Sequence, residues 1–224
     1  MRRAERDEQS GGASASSPDV DGVRGRSPRE MAVTLPAVIR GRVWCFGHDV
    51  DTDVMAPWGT ISAPFEERRS RILAIRPEFA AQVAPGDVIV AGRNWGCGSS
   101  REQAPENLQR LGVAAVVAES FGRIYFRNAI AIGFPNIACP GVHDAFADGD
   151  ELELGVLEAR VRNLRSGVEL QGRPWTPDMV EIVAAGGLLE VLKARLADRA
   201  PGGAGTVDGG AAVAVRRTAT GEVR

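Results

Sequence analysis

The stretch AGRNWGCGSSREQAPENLQRLG, from Ala91 to Gly112, holds the residues best able to do chemistry. An apolar run ends in a loop with glycines at 92, 96 and 98, and Ser99, Ser100 and Arg101 then lead into a helical pattern. Glycine admits positive φ and lets a ligand approach the backbone closely. Free N–H groups and the positive end of a helix dipole attract an anion at such a place, and Arg101 adds a cation. The chemistry is recognition of a carboxylate or phosphate with a hydroxyl beside it. A plainer reading stands next to it: Ser99-x-x-Glu102 and Ser100-x-x-Gln103 both fit a capping box, in which serine only closes a helix end.

Other loop chemistries fail on residue type. A phosphate loop of the GxxxxGK[ST] kind needs a lysine, and the only lysine is Lys193. The glycine spacing is wrong for a dinucleotide fingerprint. A serine-hydrolase triad would have to recruit His48 or His143, and no GxSxG elbow is present. Cys45, Cys97 and Cys139 are odd in number and form no CxxC pair, which argues against a disulfide framework or a closed zinc site and for a reducing compartment. Cys97 alone cannot hold an iron–sulfur cluster, which takes several thiolates; it reads as a small, soft packing residue. No metal site is expected in this chain.

The elements that must position this loop follow from periodicity. Val38–Phe46 has the β-branched and aromatic content of a strand, and HDVDTDVMAPWG after it is an acidic loop broken by Pro57 and Gly59. Asp51 and Asp53 in that loop are suited to Asx-turns. A short helix is predicted over Glu66–Ile75, interrupted at Pro77, then a buried strand over Asp87–Gly92. A helix over Arg101–Leu111, a strand over Ala114–Ala118, a helix from Ser120 to Ile132 and a strand over Asn136–Ala138 complete a βαβαβ run. ELELGVLEARVRN alternates like antiparallel strands, and Thr176-Pro177 opens a terminal helix. Trp95, Phe121, Tyr125 and Phe126 read as core and interface. The class is α/β with a β-rich layer added.

With 224 residues, 44% of them hydrophobic, the chain has material for one sizeable core. Residues 1–34 and 201–224 are too poor in large apolar side chains to offset the entropy of ordering and are expected to be disordered tails around a folded unit at 35–200. With 27 basic against 29 acidic residues, the net charge of −2 gives no reason to expect nucleic acid or an acidic membrane surface. No apolar run is long enough to span a bilayer, and the polar, acid-containing N-terminus resembles neither a secretory signal nor a transit peptide. A cytoplasmic location is the expectation.

Three segments in order, DVDTDVMAP, GRNWGCGSSREQAP and VVAESFGRIYFRNAIAIGFP, resemble the small subunits of 3-isopropylmalate dehydratase and the swivelling domain of aconitase. The resemblance covers roughly residues 36–190 and implies a mobile β/β/α domain that closes over a [4Fe–4S] cluster. That cluster is carried by a large partner subunit, in a heterodimer or heterotetramer, and none is bound by this chain alone. The implied activity is that of a hydro-lyase subunit that dehydrates and rehydrates a hydroxy di- or tricarboxylate, with 2-isopropylmalate/3-isopropylmalate isomerisation in leucine biosynthesis as the leading case. By the same resemblance Ser99 is the base that removes a carbon-bound proton, and Arg101 binds a substrate carboxylate. Ser100 and Gly98 complete the anion seat, and Thr52 and Asp53 line the other wall. A serine base is demanding, because its oxyanion must be held by donors and cations with water excluded.

The chain departs from that family where the substrate's variable side chain is read. After DTD the family's pattern resembles IIPARYL, whereas here the residues are VMAPWGTIS, so that Gly59 replaces an arginine, Thr60 an aromatic, and Trp58 adds bulk. Pro57, Trp58, Gly59, Thr60 and Ile61 are therefore the candidate specificity loop. Gln103 and Ala131 also differ from the family's usual residues. Alternatives within the class are citraconate, dimethylmaleate or homocitrate-type acids. An alternative of another class is a non-catalytic RNA- or anion-binding relative of aconitase.

Overall fold

The computed structural model describes residues 35–60 and 62–199. The predicted tails at 1–34 and 201–224 lie outside the described residues, as does Ile61. Seven strands, β1 (Val38–Phe46), β2 (Val88–Ala91), β3 (Ala115–Ala118), β4 (Asn136–Ala138), β5 (Glu151–Gly155), β6 (Arg160–Asn163) and β7 (Glu169–Gln171), form one sheet in the order β4-β3-β2-β1-β5-β6-β7. The helices are α1 (Thr52–Met55), α2 (Phe65–Arg68), α3 (Pro77–Gln82), α4 (Gln103–Arg110), α5 (Arg123–Ala131), α6 (Pro177–Ala184) and α7 (Leu188–Arg199). Among the described residues no helix is long and apolar enough to cross a membrane.

The expected β-rich layer, β5-β6-β7, is added to the parallel strands within one sheet. Strand β1 is nine residues long and pairs twice, Val38–Arg42 antiparallel with β5 and Val43–Phe46 parallel with β2. Both halves of the sheet are thereby joined through one strand. Gly41 stands near the change-over, where a Cβ would lie 2.0 Å from the Gly86 carbonyl oxygen. Only glycine admits that approach.

One predicted helix breaks. Glu66–Ile75 divides into α2 and a 3₁₀ turn over Arg69–Arg71, because the chain then turns to bury Ile72 and Leu73, with Leu73 at φ +52°. Pro77 opens α3 rather than merely ending a helix, as its fixed φ and missing N–H allow. Helix α5 starts at Arg123 rather than Ser120, whose hydroxyl instead accepts the Asn94 N–H at 2.9 Å. The terminal helix is two helices, α6 and α7, parted by Gly186 and Gly187 at φ +83° and +128°.

The core is likewise double, because the parallel strands are buried on both faces. Trp44, Phe46, Ile89, Ala91, Val116 and Ala118 pack on one face with Met55, Phe79, Leu108 and Tyr125. Val43, Val88, Val90 and Val117 pack on the other with Leu152, Leu154, Val161 and Val183. The second cluster joins side chains of the parallel and antiparallel halves, so the sheet curls over itself there.

Buried Asp87 ties β1 to the turn before β2. Its carboxylate accepts from Arg42 at 2.7 Å, from the Trp44 indole N–H at 2.8 Å and from the Ala84 N–H at 3.0 Å. Burial pushes its pKa up, but the Arg42, Ala84 and Trp44 donors together hold it below the usual carboxylate range. A carboxylate with a depressed pKa contributes stability that is present above the unfolded-state pKa and lost as pH falls through the folded one. The Asp87→Asn variant sets an amide N–H₂ or a weaker acceptor against these donors. It is expected to lower the unfolding free energy by about 2 kcal/mol at pH 7. The deficit should shrink below pH 4 in denaturant titrations of the two proteins.

Candidate functional site

The acidic loop after β1 and the glycine-rich loop after β2 leave the sheet side by side, because Phe46 is paired with Ala91 in register. Beyond the strands the two loops stay bonded. The Asp49 N–H donates to Arg93 O at 2.8 Å, Gly96 N–H to Val50 O at 2.8 Å and Thr52 N–H to Cys97 O at 2.9 Å. The segment after β3 joins them, with Trp95 N–H donating to Ser120 O at 3.0 Å and Gly122 N–H to Trp95 O at 2.8 Å. All three loops lie at the carboxyl ends of parallel strands.

Ser99, Arg101 and Asp53 form one cluster on this frame. The Ser99 hydroxyl donates to Asp53 Oδ1 at 3.3 Å and accepts from Arg101 Nε at 3.0 Å. Arg101 also pairs with Asp53 Oδ1 at 2.5 Å and donates to the Ala56 carbonyl at the end of α1. Three of the five N–H donors of a guanidinium are thus committed, leaving two for a ligand. The Arg101 side chain is only 10% exposed while that of Asp53 is 60% exposed, and Ser99 and Ser100 are open to solvent. A cation fixed at the base of an open hydroxyl-bearing mouth is chemically suited to receive an anion.

The capping-box reading does not hold. Helix α4 begins at Gln103 with Glu102 as its N-cap and no side-chain capping bond, so neither serine closes the helix. Of Asp51 and Asp53, Asp51 has the Asx geometry: its Oδ1 accepts the Asp53 N–H at 2.7 Å and caps α1. Thr52 is buried, and its hydroxyl donates to the Ser99 carbonyl at 2.9 Å, so it acts on the loop from behind. In the specificity segment Thr60 also turns inward, 4% exposed, with its hydroxyl on Pro57 O at 2.7 Å. Trp58 projects outward, 80% exposed, and lies 5.2 Å from the Arg101 guanidinium in a cation–π contact. Pro57 is half-buried and Gly59 exposed, at φ +84°.

Two supports are not legible as site residues in the chain. Buried Asn107 of α4 donates to Met55 O at 2.9 Å, and with Arg101 on Ala56 O it grips the last carbonyls of α1. The signal available was a polar side chain on the apolar face of α4, beside Ala104 and Leu108. Tyr125 is the second. A Cβ on Gly96 would lie 2.2 Å from its ring, so the loop rests directly on it. Complete burial pushes the Tyr125 phenol far up, which leaves it neutral at any physiological pH.

All three thiols are free. Burial, then Asp51 and Asp49, push the Cys97 pKa up, and burial first also pushes Cys45 to about 12 and Cys139 to about 11. Thiolates are therefore disfavoured at all three. Among the described residues no group of three or more His, Cys, Asp and Glu side chains is placed to hold a metal ion. The iron–sulfur cluster of the resembled family does not fit any donor set described in this chain.

Gly98 tests the loop geometry. At φ +93° it sits where a Cβ would approach Asp51 Oδ2 to 2.3 Å. The Gly98→Ala variant combines a left-handed strain of about 1–2 kcal/mol with displacement of the α1 cap. The domain should still fold, by circular dichroism, while turnover of the assembled enzyme should fall at least about tenfold.

Comparison with known proteins bears on the family and the fold. The family described as "Aconitase C-terminal domain" matches residues 72–139, from the end of the α2 region through β4. The chain is 50% identical over 158 residues to a protein of Methanopyrus kandleri named 3-isopropylmalate dehydratase small subunit 1, covering 70% of this chain and 93% of that one. It is 43% identical over 166 residues to the isopropylmalate/citramalate isomerase small subunit of Methanocaldococcus jannaschii, covering 73% and 99%. It is 47% identical over 157 residues to the methanogen homoaconitase small subunit of Methanothermobacter thermautotrophicus, covering 69% and 91%. The crystal structure of 3-isopropylmalate dehydratase from Methanocaldococcus jannaschii has the same fold, with a TM-score of 0.69 at 38% identity, covering 74% of this chain and 99% of that one. The chain belongs to the aconitase C-terminal domain family, among the small subunits of 3-isopropylmalate dehydratases and their isomerase relatives.

Proposed function

We propose that this chain is the small subunit of a hydro-lyase that interconverts 2-isopropylmalate and 3-isopropylmalate through an unsaturated dicarboxylate, in leucine biosynthesis. The observation that carries this reading is the Ser99 hydroxyl held between Arg101 Nε and Asp53 Oδ1 at a solvent-open mouth. The Ser99 hydroxyl proton passes to Asp53 Oδ1, the resulting oxyanion is stabilised by the Arg101 N–H, and it takes the carbon-bound proton to become a hydroxyl again. The two uncommitted N–H groups of Arg101, with Ser100 and the backbone at Gly98, receive a substrate carboxylate. Thr52 and Asp53 set the position of Ser99 and Arg101.

Exposure supports the need for a partner. An alkoxide base requires a site from which water is excluded, and Ser99, Ser100 and Asp53 all stand open to solvent. The large subunit is the surface that closes over them, and in this reading it carries the [4Fe–4S] cluster and the other half of the site, in a cytoplasmic heterodimer or heterotetramer. Relatives named for isopropylmalate, citramalate and homoaconitase are 50%, 43% and 47% identical to this chain. The substrate is therefore chosen by the rim of the site, where Trp58 is the large outward side chain of the altered loop.

The test is co-expression with a cluster-bearing large subunit, anaerobic reconstitution and absorbance of the unsaturated product from 2-isopropylmalate, with citramalate- and homocitrate-type acids as competitors. Ser99→Ala is expected to lower kcat by about 10³-fold with co-elution of the subunits retained; near-normal turnover refutes Ser99 as base. Arg101→Lys should raise KM, because a point charge replaces a planar fork. Trp58→Ala should alter the ratio of kcat/KM between substrates by about tenfold, measured by direct competition.

A further inference from the structure

The chain's two histidines, 95 positions apart, meet in the fold, with ring centroids of His48 and His143 at 4.8 Å and planes tilted by 39°. His48 lies where the acidic loop leaves β1. Its Nδ1 accepts the Arg93 N–H at 2.8 Å, while the neighbouring Asp49 N–H donates to Arg93 O at 2.8 Å. These two bonds prolong the β1–β2 pairing into the loops that carry Asp53 and Ser99. Gly92 makes room for the ring, since a Cβ there would lie 2.2 Å from His48 Nδ1. A backbone N–H can only donate, so Nδ1 presents a lone pair and the neutral ring keeps its proton on Nε2.

The charges around the ring are these. On its own loop Asp49 accepts from Asn94 at 2.8 Å. On the facing loop the Arg93 guanidinium lies 3.7 Å from Glu119, which follows β3. On the connection between β4 and β5, His143 stands 3.1 Å from Asp144. Arg93 is itself paired with Glu119 and His143 with Asp144, so these groups leave no net positive charge against His48, and the effect of its protonation falls on the Nδ1 bond.

We propose that His48 is a positioning residue of the site: its unprotonated Nδ1 clasps the Asp53 loop to the Ser99 loop, and proton uptake opens that clasp. Histidine changes charge between about pH 5 and 8. Once protonated, Nδ1 is a donor facing the Arg93 donor. The Arg93 N–H then loses its acceptor, and the register that brings Ser99 and Arg101 to Asp53 loosens. The consequence for turnover rests on the hydro-lyase reading, whereas the clasp itself does not.

The experiment is a pH titration of the full, ¹⁵N-labelled chain by NMR from pH 8 to pH 5, paired with the pH profile of the reconstituted enzyme. The Arg93 amide resonance is expected to move as the imidazoles protonate. In His48→Asn, whose Oδ1 takes the place of Nδ1 and does not titrate, it should stay still. Between pH 8 and pH 5 the native enzyme should lose about fivefold more kcat/KM than this variant, the factor one hydrogen bond is worth. An Arg93 amide that ignores pH in the native chain, or moves equally in His48→Asn, overturns the proposal. If the variant fails to fold, the native titration decides alone. The NMR arm needs neither partner nor substrate, so its failure is separable from a failure of the hydro-lyase reading.

Discussion

The parallel pairing of Val43–Phe46 with Val88–Ala91 determines where the loops of the candidate site end up. Two loops remote in sequence leave the sheet at the same edge because Phe46 and Ala91 are register partners. A slip of one residue would turn Trp44 and Phe46 away from Phe79, with which each makes an edge-on contact at 5.3 and 5.4 Å. The aromatic core therefore holds the register, and the register holds the loops. Asp87 adds a polar lock by bonding Trp44 and Arg42 from the neighbouring turn.

From that frame the site is assembled by backbone contacts first and side chains second. Bonds from Gly96 to Val50 and from Thr52 to Cys97 lay the two loops against each other. Buried Thr52 then holds the Ser99 carbonyl, and Asp51 caps α1 while leaving Asp53 free to reach Ser99 and Arg101. Arg101 and Asn107 grip the far end of α1. The short helix α1 is thus clamped at both ends, which a four-residue helix cannot achieve alone. Preorganisation of this kind suits a cation that must keep one position relative to a neighbouring hydroxyl.

Much of the fold was legible in the residues. The buried runs at Asp87–Gly92 and Ala114–Ala118 and the alternating segment at 151–163 became strands within a residue or two of their expected ends. The exceptions share a cause. At Glu66–Ile75 the helical pattern yields to burial of Ile72 and Leu73, and at Ser120 the hydroxyl serves Asn94 rather than a helix end. Local propensity lost in both cases to a partner distant in sequence. The β-rich layer was legible in the alternation at 151–163, but nothing local tells that β1 pairs on both sides and joins it to the parallel half.

By itself the sequence determined which residues were available for chemistry: a glycine-rich loop with two serines and an arginine, an acidic loop, and too few clustered thiols for a metal. It also carried the family, because three motifs in order constrain far more than any one. Tertiary structure decided what each residue does. Ser99 and Ser100 fit a capping box on paper, yet α4 starts beyond them, and Ser99 points instead to Asp53 and Arg101. Thr52 and Thr60, candidates for the cleft, turn inward, and Trp58 turns out. The physical reason is that residue type sets which bonds a side chain can make, whereas the register of β1 on β2 sets which partners come within reach.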